Sequence, residues 1–231
     1  MIGRAGVVVA LDGPGSSGKS TVGALAAARL GFRFCDTGLF YRAVAWLALH
    51  RDVALEDGAA LAALVPLLVM EANGVGRYVR VRAAGDDITS LVHTPAIDRV
   101  VSVAARQPRL REALLAPQRA LAGGGSIVIA GRDIGTVVLP DADVKIYLDA
   151  SLVERARRRG LERGISGHVV GSAEAEQLLD DLRARDEIDS GRATAPLRAA
   201  PDAILIRTDG FALEEAVDAV VSAVRGRTGA R

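Results

Sequence analysis

The chain has a single cysteine, Cys35, which excludes an internal disulfide framework and any site built from several cysteine ligands. A chain so poor in thiols fits a reducing compartment. Aromatic residues make up only 3% against a hydrophobic fraction of 50%, so the core must be built from Ala, Val, Leu and Ile. No apolar run approaches the roughly 18 residues of a membrane helix. Met1 to Gly6 is too short for a cleavable leader if a strand begins near Val7. Charge of neither sign dominates: 29 basic residues face 28 acidic ones, for a formal net charge of +1. That balance argues against wholesale binding of nucleic acid or a membrane surface. The expectation is a soluble, cytoplasmic protein whose 231 residues form one sizeable domain with mobile parts.

Lysine is nearly absent. Of the 29 Lys and Arg residues only Lys19 and Lys145 are lysine, and Lys19 stands inside Gly13-Pro14-Gly15-Ser16-Ser17-Gly18-Lys19-Ser20. This stretch fits G-x-x-x-x-G-K-[ST], the phosphate-binding loop. The apolar run Val7 to Leu11 before it reads as a buried parallel strand, and Thr21 to Leu30 after it as a helix stopped by Gly31. In a strand, glycine loop and helix start, successive N–H groups and the helix N-terminus converge on a phosphate. Gly13 to Thr21 are therefore expected to hold ATP, with Lys19 reaching the β- and γ-phosphates and Ser20 completing the shell of a Mg²⁺ ion.

Further along, Phe32 to Cys35 reads as a second strand and Tyr41 to about Arg51 as a helix. Leu55 to about Leu68 reads as another helix. Val69 to Ala72 and Tyr78 to Arg82 alternate and, with a turn at Ala83 to Asp87, suggest a small antiparallel sheet. Pro95 and Pro108 open two helices, the second ending in Gly123-Gly124-Gly125. Ile127 to Ala130, Asp143 to Leu148 and Ala203 to Arg207 return to the buried-strand pattern. Ser151 and Glu154 suggest a capping box opening an arginine-dense helix, and Ser172 is expected to cap a helix running to about Asp189. Leu213 to Val224 reads as the closing helix, followed by a mildly disordered tail from Gly226. Five apolar strands separated by helices predict an α/β fold with a five-stranded parallel central sheet.

Ligands of such sheets bind beyond the C-terminal strand ends. There lie the glycine loop, Asp36 to Arg42, and Gly131-Arg132-Asp133-Ile134-Gly135; the last two each carry an Arg and an Asp. Arg185, Asp189 and Arg192 share one helical face by their spacing. Arginines neutralise and orient phosphate oxygens by bidentate contact, and phosphoryl transfer depends mostly on such positioning. No protein nucleophile is evident, which suits direct transfer between two bound substrates.

Together, the glycine loop, Asp36-Thr37-Gly38 with Tyr41-Arg42, Gly131 to Val138, Pro140-Asp141-Ala142 and Arg192 to Leu197 resemble the bacterial cytidylate kinases, in the right order over nearly the whole chain. The resemblance implies an ATP- and Mg²⁺-dependent kinase acting on CMP and dCMP, with the P-loop NTPase fold of nucleoside monophosphate kinases. It implies a core (about 1–40, 127–154 and 193–231), a monophosphate-binding insert carrying the small sheet (about 41–126) and a mobile lid (about 155–192). Arg42, Arg132 and Arg185 would then hold the acceptor phosphate, and Asp36, Thr37 and Tyr41 would line its pocket. Ser102, Arg111 and Asp133 would read the cytosine edge, and Asp189 with Arg192 would contact the sugar. Arg157 or Arg158 would be the lid arginine near the transferring group. Lid flexibility is expected at Gly160, Gly164, Gly167 and Gly171. Two positions depart from the family pattern: Ala130, where a polar or acidic residue is common, and Ile188, where an arginine is frequent. The second leaves the lid one charge poorer.

Residue chemistry supports the base assignment on its own terms. A carboxylate in an apolar pocket accepts from the amine of cytosine and repels the O4 acceptor of uracil. The competing readings are a uridylate, adenylate or metabolite kinase, and a silent ATP-binding regulatory module. A guanine-reading [N/T]-K-x-D motif is impossible, since Thr21 and Tyr147 stand two residues after the lysines. A monomer is expected because no large exposed apolar stripe is evident.

Overall fold

The computed structural model describes residues 6–162, 164, 173–192 and 195–229. In chain order the strands are β1 (Val8–Asp12), β2 (Arg33–Asp36), β3 (Leu68–Ala72), β4 (Tyr78–Ala83), β5 (Asp86–Asp87), β6 (Ile127–Gly131), β7 (Val144–Asp149) and β8 (Ile204–Arg207). The helices are α1 (Lys19–Leu30), α2 (Gly38–His50), α3 (Gly58–Leu64), α4 (Pro95–Ala104), α5 (Pro108–Ala120), α6 (Leu152–Glu162), α7 (Ala173–Ser190) and α8 (Leu213–Thr228). Five strands make a parallel sheet in the order β2-β6-β1-β7-β8, and β3-β4-β5 make a small antiparallel one. Val8 to Leu11, in the central strand, are wholly shielded from solvent, as a strand needs when it has neighbours on both edges and helices on both faces.

The chain divides into two compact units. The first holds the described residues up to Val8 together with Ala27–Ala130. Within it β2 pairs in parallel with β6. Arg33 anchors the small sheet to the glycine-rich turn before β6: its Nη1 donates to the Tyr78 hydroxyl at 3.1 Å and its Nη2 to the carbonyls of Leu121 (2.8 Å) and Gly125 (3.1 Å). The second unit holds Val9–Ala26 and the described residues from Gly131 onward. Here β1 pairs with β7 and β7 with β8, both in parallel. Val217, Val220 and Val224 form the buried stripe of α8.

Several elements differ from their sequence-based expectation for identifiable reasons. The helix expected to run to Leu68 ends at Leu64 and continues as a 3-10 turn over Val65–Leu67, because Pro66 lacks an N–H and disfavours α geometry before it. The closing helix does not fray at Gly226: it continues to Thr228, whose hydroxyl donates to the Val224 carbonyl at 2.9 Å, and stops at left-handed Gly229. Only half of the capping box at Ser151 forms. The Glu154 N–H donates to Ser151 Oγ at 3.2 Å, while the Glu154 carboxylate accepts from Arg157 and Arg158 instead of returning to the cap. Gly160 lies buried inside α6, where an added Cβ would stand 3.9 Å from the Leu178 side chain. Gly164 sits in a turn with φ +68°; Ser172, Gly167 and Gly171 lie outside the described residues.

The end of β1 fixes the segment that follows β6. Asp12 is 3% exposed, and its carboxylate accepts from the N–H groups of Ile134 (2.7 Å) and Gly135 (2.8 Å). These two residues open the π-helical turn Ile134–Val138, so Asp12 sets the height at which Arg132 and Asp133 leave the sheet. Burial outweighs the two N–H donors and pushes the Asp12 carboxyl from 3.8 up to about 6. An acid that holds its proton more tightly when folded contributes full stability below its unfolded value and loses it as pH rises through the folded one. Relative to Asp12→Asn, the wild-type chain should therefore lose on the order of 3 kcal/mol of unfolding free energy between about pH 4 and pH 6. Urea titrations across that range are the check, and a pH-independent difference would contradict the assignment.

Candidate active site

The glycine loop leaves β1 in a space that admits no side chain at its first position. A Cβ on Gly13 would lie 2.2 Å from the Leu148 carbonyl oxygen. The loop then turns through Ser16 at φ +58°, a left-handed conformation that costs about 1 kcal/mol or more for a residue with a side chain and tends to mark functional loops. Ser17 is wholly buried, and its Oγ has no hydrogen-bond partner. Lys19, at the start of α1, is 8% exposed and folds back so that its Nζ donates to the Pro14 carbonyl at 2.8 Å. Ser20, in the first helical turn, is exposed.

Arginines surround this loop. A methyl group on Gly15 would stand 3.4 Å from Arg132 Nη2 and 3.9 Å from Arg185 Cδ, so the segment after β6 and helix α7 both bring a guanidinium chain against the loop. Arg132 and Arg192 both pair with Asp189, which is 1% exposed. The helix ends at Ser190, so Arg192 reaches Asp189 from just beyond α7 and not from a third turn of one face. Asp133 is 6% exposed. From α6, Arg158 donates to the Ser17 carbonyl (3.0 Å), to Thr208 Oγ1 (3.1 Å) and to the Thr208 carbonyl (2.7 Å). Arg157 instead forms an exposed two-point pair with Glu154 at 2.7 Å. These pairs, the hydrogen bond from Arg157 foremost, hold the Glu154 carboxyl below the ordinary carboxylate range.

The other predicted residues lie in the first unit. Thr37 is buried, and its N–H and hydroxyl both donate to the Ala130 carbonyl at 2.9 Å. Asp36 accepts from the Gly38 N–H at 2.9 Å, opening α2. Arg42 donates to the Val92 carbonyl (2.9 Å) and to Asp98 (2.6 Å). The Arg111 guanidinium lies 5.4 Å from the centre of the Tyr41 ring and donates to the Ala105 carbonyl at 3.2 Å. Ser102 sits on α4. The sequence reading gave no role to Asp12, Asp98, Arg155 or Asp186. Arg155 could have been noticed as the arginine of α6 that falls beside the apolar Ala156, whereas the carboxylates gave no local signal. Cys35 is buried, which pushes its thiol well above the ordinary range, so it is no nucleophile at neutral pH.

Chemically the glycine loop of the second unit, with Lys19 and the arginines beside it, is equipment for binding and moving phosphoryl groups. Among the described residues no cluster of three or more His, Cys, Asp or Glu side chains could cage a metal ion. No helix there is long and apolar enough to cross a membrane.

Comparison with known proteins agrees with this chemistry. A sequence model of the family described as Cytidylate kinase matches residues 9–226. The chain is 42% identical over 226 residues to a cytidylate kinase of Geobacillus sp. (strain WCH70), covering 98% of this chain and 100% of that one. It is 44% identical over 216 residues to one of Desulfitobacterium hafniense (strain Y51), covering 93% and 90%. Among solved structures, that of an uncharacterized protein from Eubacterium ventriosum ATCC 27560 is similar in fold, with a TM-score of 0.50 at 13% identity over 96% of this chain and 99% of that one. With a family match over most of its length and relatives above two-fifths identity end to end, the chain belongs to the cytidylate kinase family.

Proposed function

We propose that the chain transfers the γ-phosphoryl group of ATP directly to CMP and dCMP, giving CDP and dCDP, as a cytoplasmic monomer. The observation that carries this reading is the convergence of Arg132 and Arg185 on Gly15 of the phosphate loop. Transfer needs donor and acceptor phosphates side by side, with positive charge around the oxygens on which charge is spread. In this reading Gly13 to Thr21 hold the donor, and Lys19 moves from the Pro14 carbonyl to the β- and γ-phosphates. Arg132, Arg185 and Arg42 take the acceptor phosphate. The ion pairs to Asp189 and Asp98 keep Arg132 and Arg42 extended and oriented before substrate arrives, so little side-chain entropy is lost on binding. Asp189 with Arg192 takes the sugar, and Asp36, Thr37 and Tyr41 line the acceptor pocket.

Base choice falls to Asp133, Arg111 and Ser102. The Tyr41 ring against the Arg111 guanidinium holds that fork in one plane. The Asp133 carboxylate accepts from the cytosine amine and leaves uracil with two acceptors facing each other. The exposed hydroxyl of Ser20 is a hard oxygen donor that would suit Mg²⁺, and substrate phosphates and water would supply the remaining ligands, so no protein cage is needed. When bound, the ion neutralises charge on the transferring group. The division into core, monophosphate-binding insert (about 41–126) and lid (about 155–192) is part of the same proposal, with lid closure excluding water that would otherwise hydrolyse ATP.

An ADP-release assay with ATP and Mg²⁺ tests the reaction against CMP, dCMP, UMP, AMP, GMP and shikimate. Turnover should be strong with CMP and dCMP and weak with the rest; preferred turnover of another acceptor would overturn the acceptor assignments. In Asp133→Ala, kcat/KM for CMP should fall about a hundredfold, as expected for losing a charged hydrogen bond, while KM for ATP stays within about twofold. Equal loss of ATP affinity would place Asp133 at the donor instead.

A further inference from the structure

Three carbonyl groups of the phosphate loop are held by cationic side chains, one from the loop motif itself and two from α6. Lys19 Nζ takes the Pro14 carbonyl at 2.8 Å, Arg155 Nη1 the Gly15 carbonyl at 3.2 Å and Arg158 Nη1 the Ser17 carbonyl at 3.0 Å. No described peptide bond is cis. In a planar trans peptide the C=O and the following N–H point in opposite directions. Each captured carbonyl therefore turns the next N–H, of Gly15, Ser16 and Gly18, to the side away from its cation. A phosphate nest works only if successive N–H groups face one side.

Lys19 belongs to the loop motif; Arg155 does not. Arg155 stands in the first turns of α6, is 6% exposed, and spends its whole fork on three partners. Nε donates to the Ala150 carbonyl at 3.0 Å, Nη1 to Gly15, and Nη2 to Asp186 on α7 at 2.6 Å. The peptide it captures is the one that enters Ser16, the single side-chain-bearing loop residue in the left-handed region. A strained peptide of that kind needs an external hold to keep one orientation.

We propose that Arg155 is a positioning residue for the donor phosphates. It fixes the Gly15–Ser16 peptide with its N–H toward the anion, and Asp186 fixes Arg155. Because Asp186 neighbours Arg185 on α7, the same contact links the helix carrying an acceptor arginine to the readiness of the donor loop. This inference rests on the reading of the loop as the donor site.

The test combines ADP binding by calorimetry with steady-state KM values for ATP and CMP in Arg155→Met, Arg155→Lys and Asp186→Asn. Arg155→Met should weaken ADP binding and raise KM for ATP by about tenfold or more, the range for a lost charged hydrogen bond, with KM for CMP within about twofold. Asp186→Asn should show the same ATP-selective defect at about threefold. Arg155→Lys, which keeps charge but not the fork, should rescue only part of the loss. A merely structural arginine would lower the unfolding midpoint while folded variants kept the wild-type KM for ATP; that result overturns the proposal. If Arg155→Met does not fold, unchanged ATP values in the other two variants overturn it equally. A wild-type chain that binds no ADP would overturn the donor-loop reading and this inference with it.

Discussion

A buried carboxylate that must find hydrogen-bond donors is the constraint on which much of this structure depends. Asp12 sits at the end of the central strand with almost no access to water, and the backbone around it has to supply what water would. It does so by bending the chain after β6 into a π-helical turn whose first two N–H groups meet the carboxylate. One residue later in sequence than Asp12 comes the candidate phosphate loop; one residue earlier than Ile134 comes Asp133, preceded by Arg132. A single carboxylate thus holds two candidate-site segments in register at the strand ends.

Arginine does the rest, through a planar fork that reaches several partners at once. Arg33, Arg155 and Arg158 each join three or more polar atoms from separated segments. A flexible ammonium could satisfy one such set only by giving up directional contacts, whereas a guanidinium fork spans it with little further loss of freedom. The carboxylates Asp98, Asp186 and Asp189 serve as counter-charges, which spares the buried guanidiniums the cost of standing unpaired.

Much of the fold could be read from the chain because its signals are local. The five buried strands show as short apolar runs, the small sheet as an alternation around a glycine turn, and the phosphate loop as a contiguous motif. The errors came where a local rule met a stronger neighbour: Pro66 cut a helix short, while the buried face Val220, Val221 and Val224 carried another past Gly226. Glu154 left its expected cap because two arginines one turn on offered charge. For the candidate site the chain suggested residues but not the pairs they form. That Asp12 meets Ile134, Arg42 meets Asp98 and Arg155 meets Gly15 depends on partners 122, 56 and 140 positions apart, and no periodicity encodes such contacts.

The account holds that this scaffold brings two nucleotides together and contributes position and charge without forming a bond to phosphorus. The one cysteine is buried and protonated, and the carboxylates around the loop, Asp12, Asp186 and Asp189, are already engaged by backbone N–H groups or arginines. The stereochemical course of transfer from ATP made chiral at the γ-phosphorus tests this most directly. A single in-line displacement inverts configuration, and inversion in the CDP product is the predicted result. Retention would require two displacements through a phosphorylated protein group and would contradict the account.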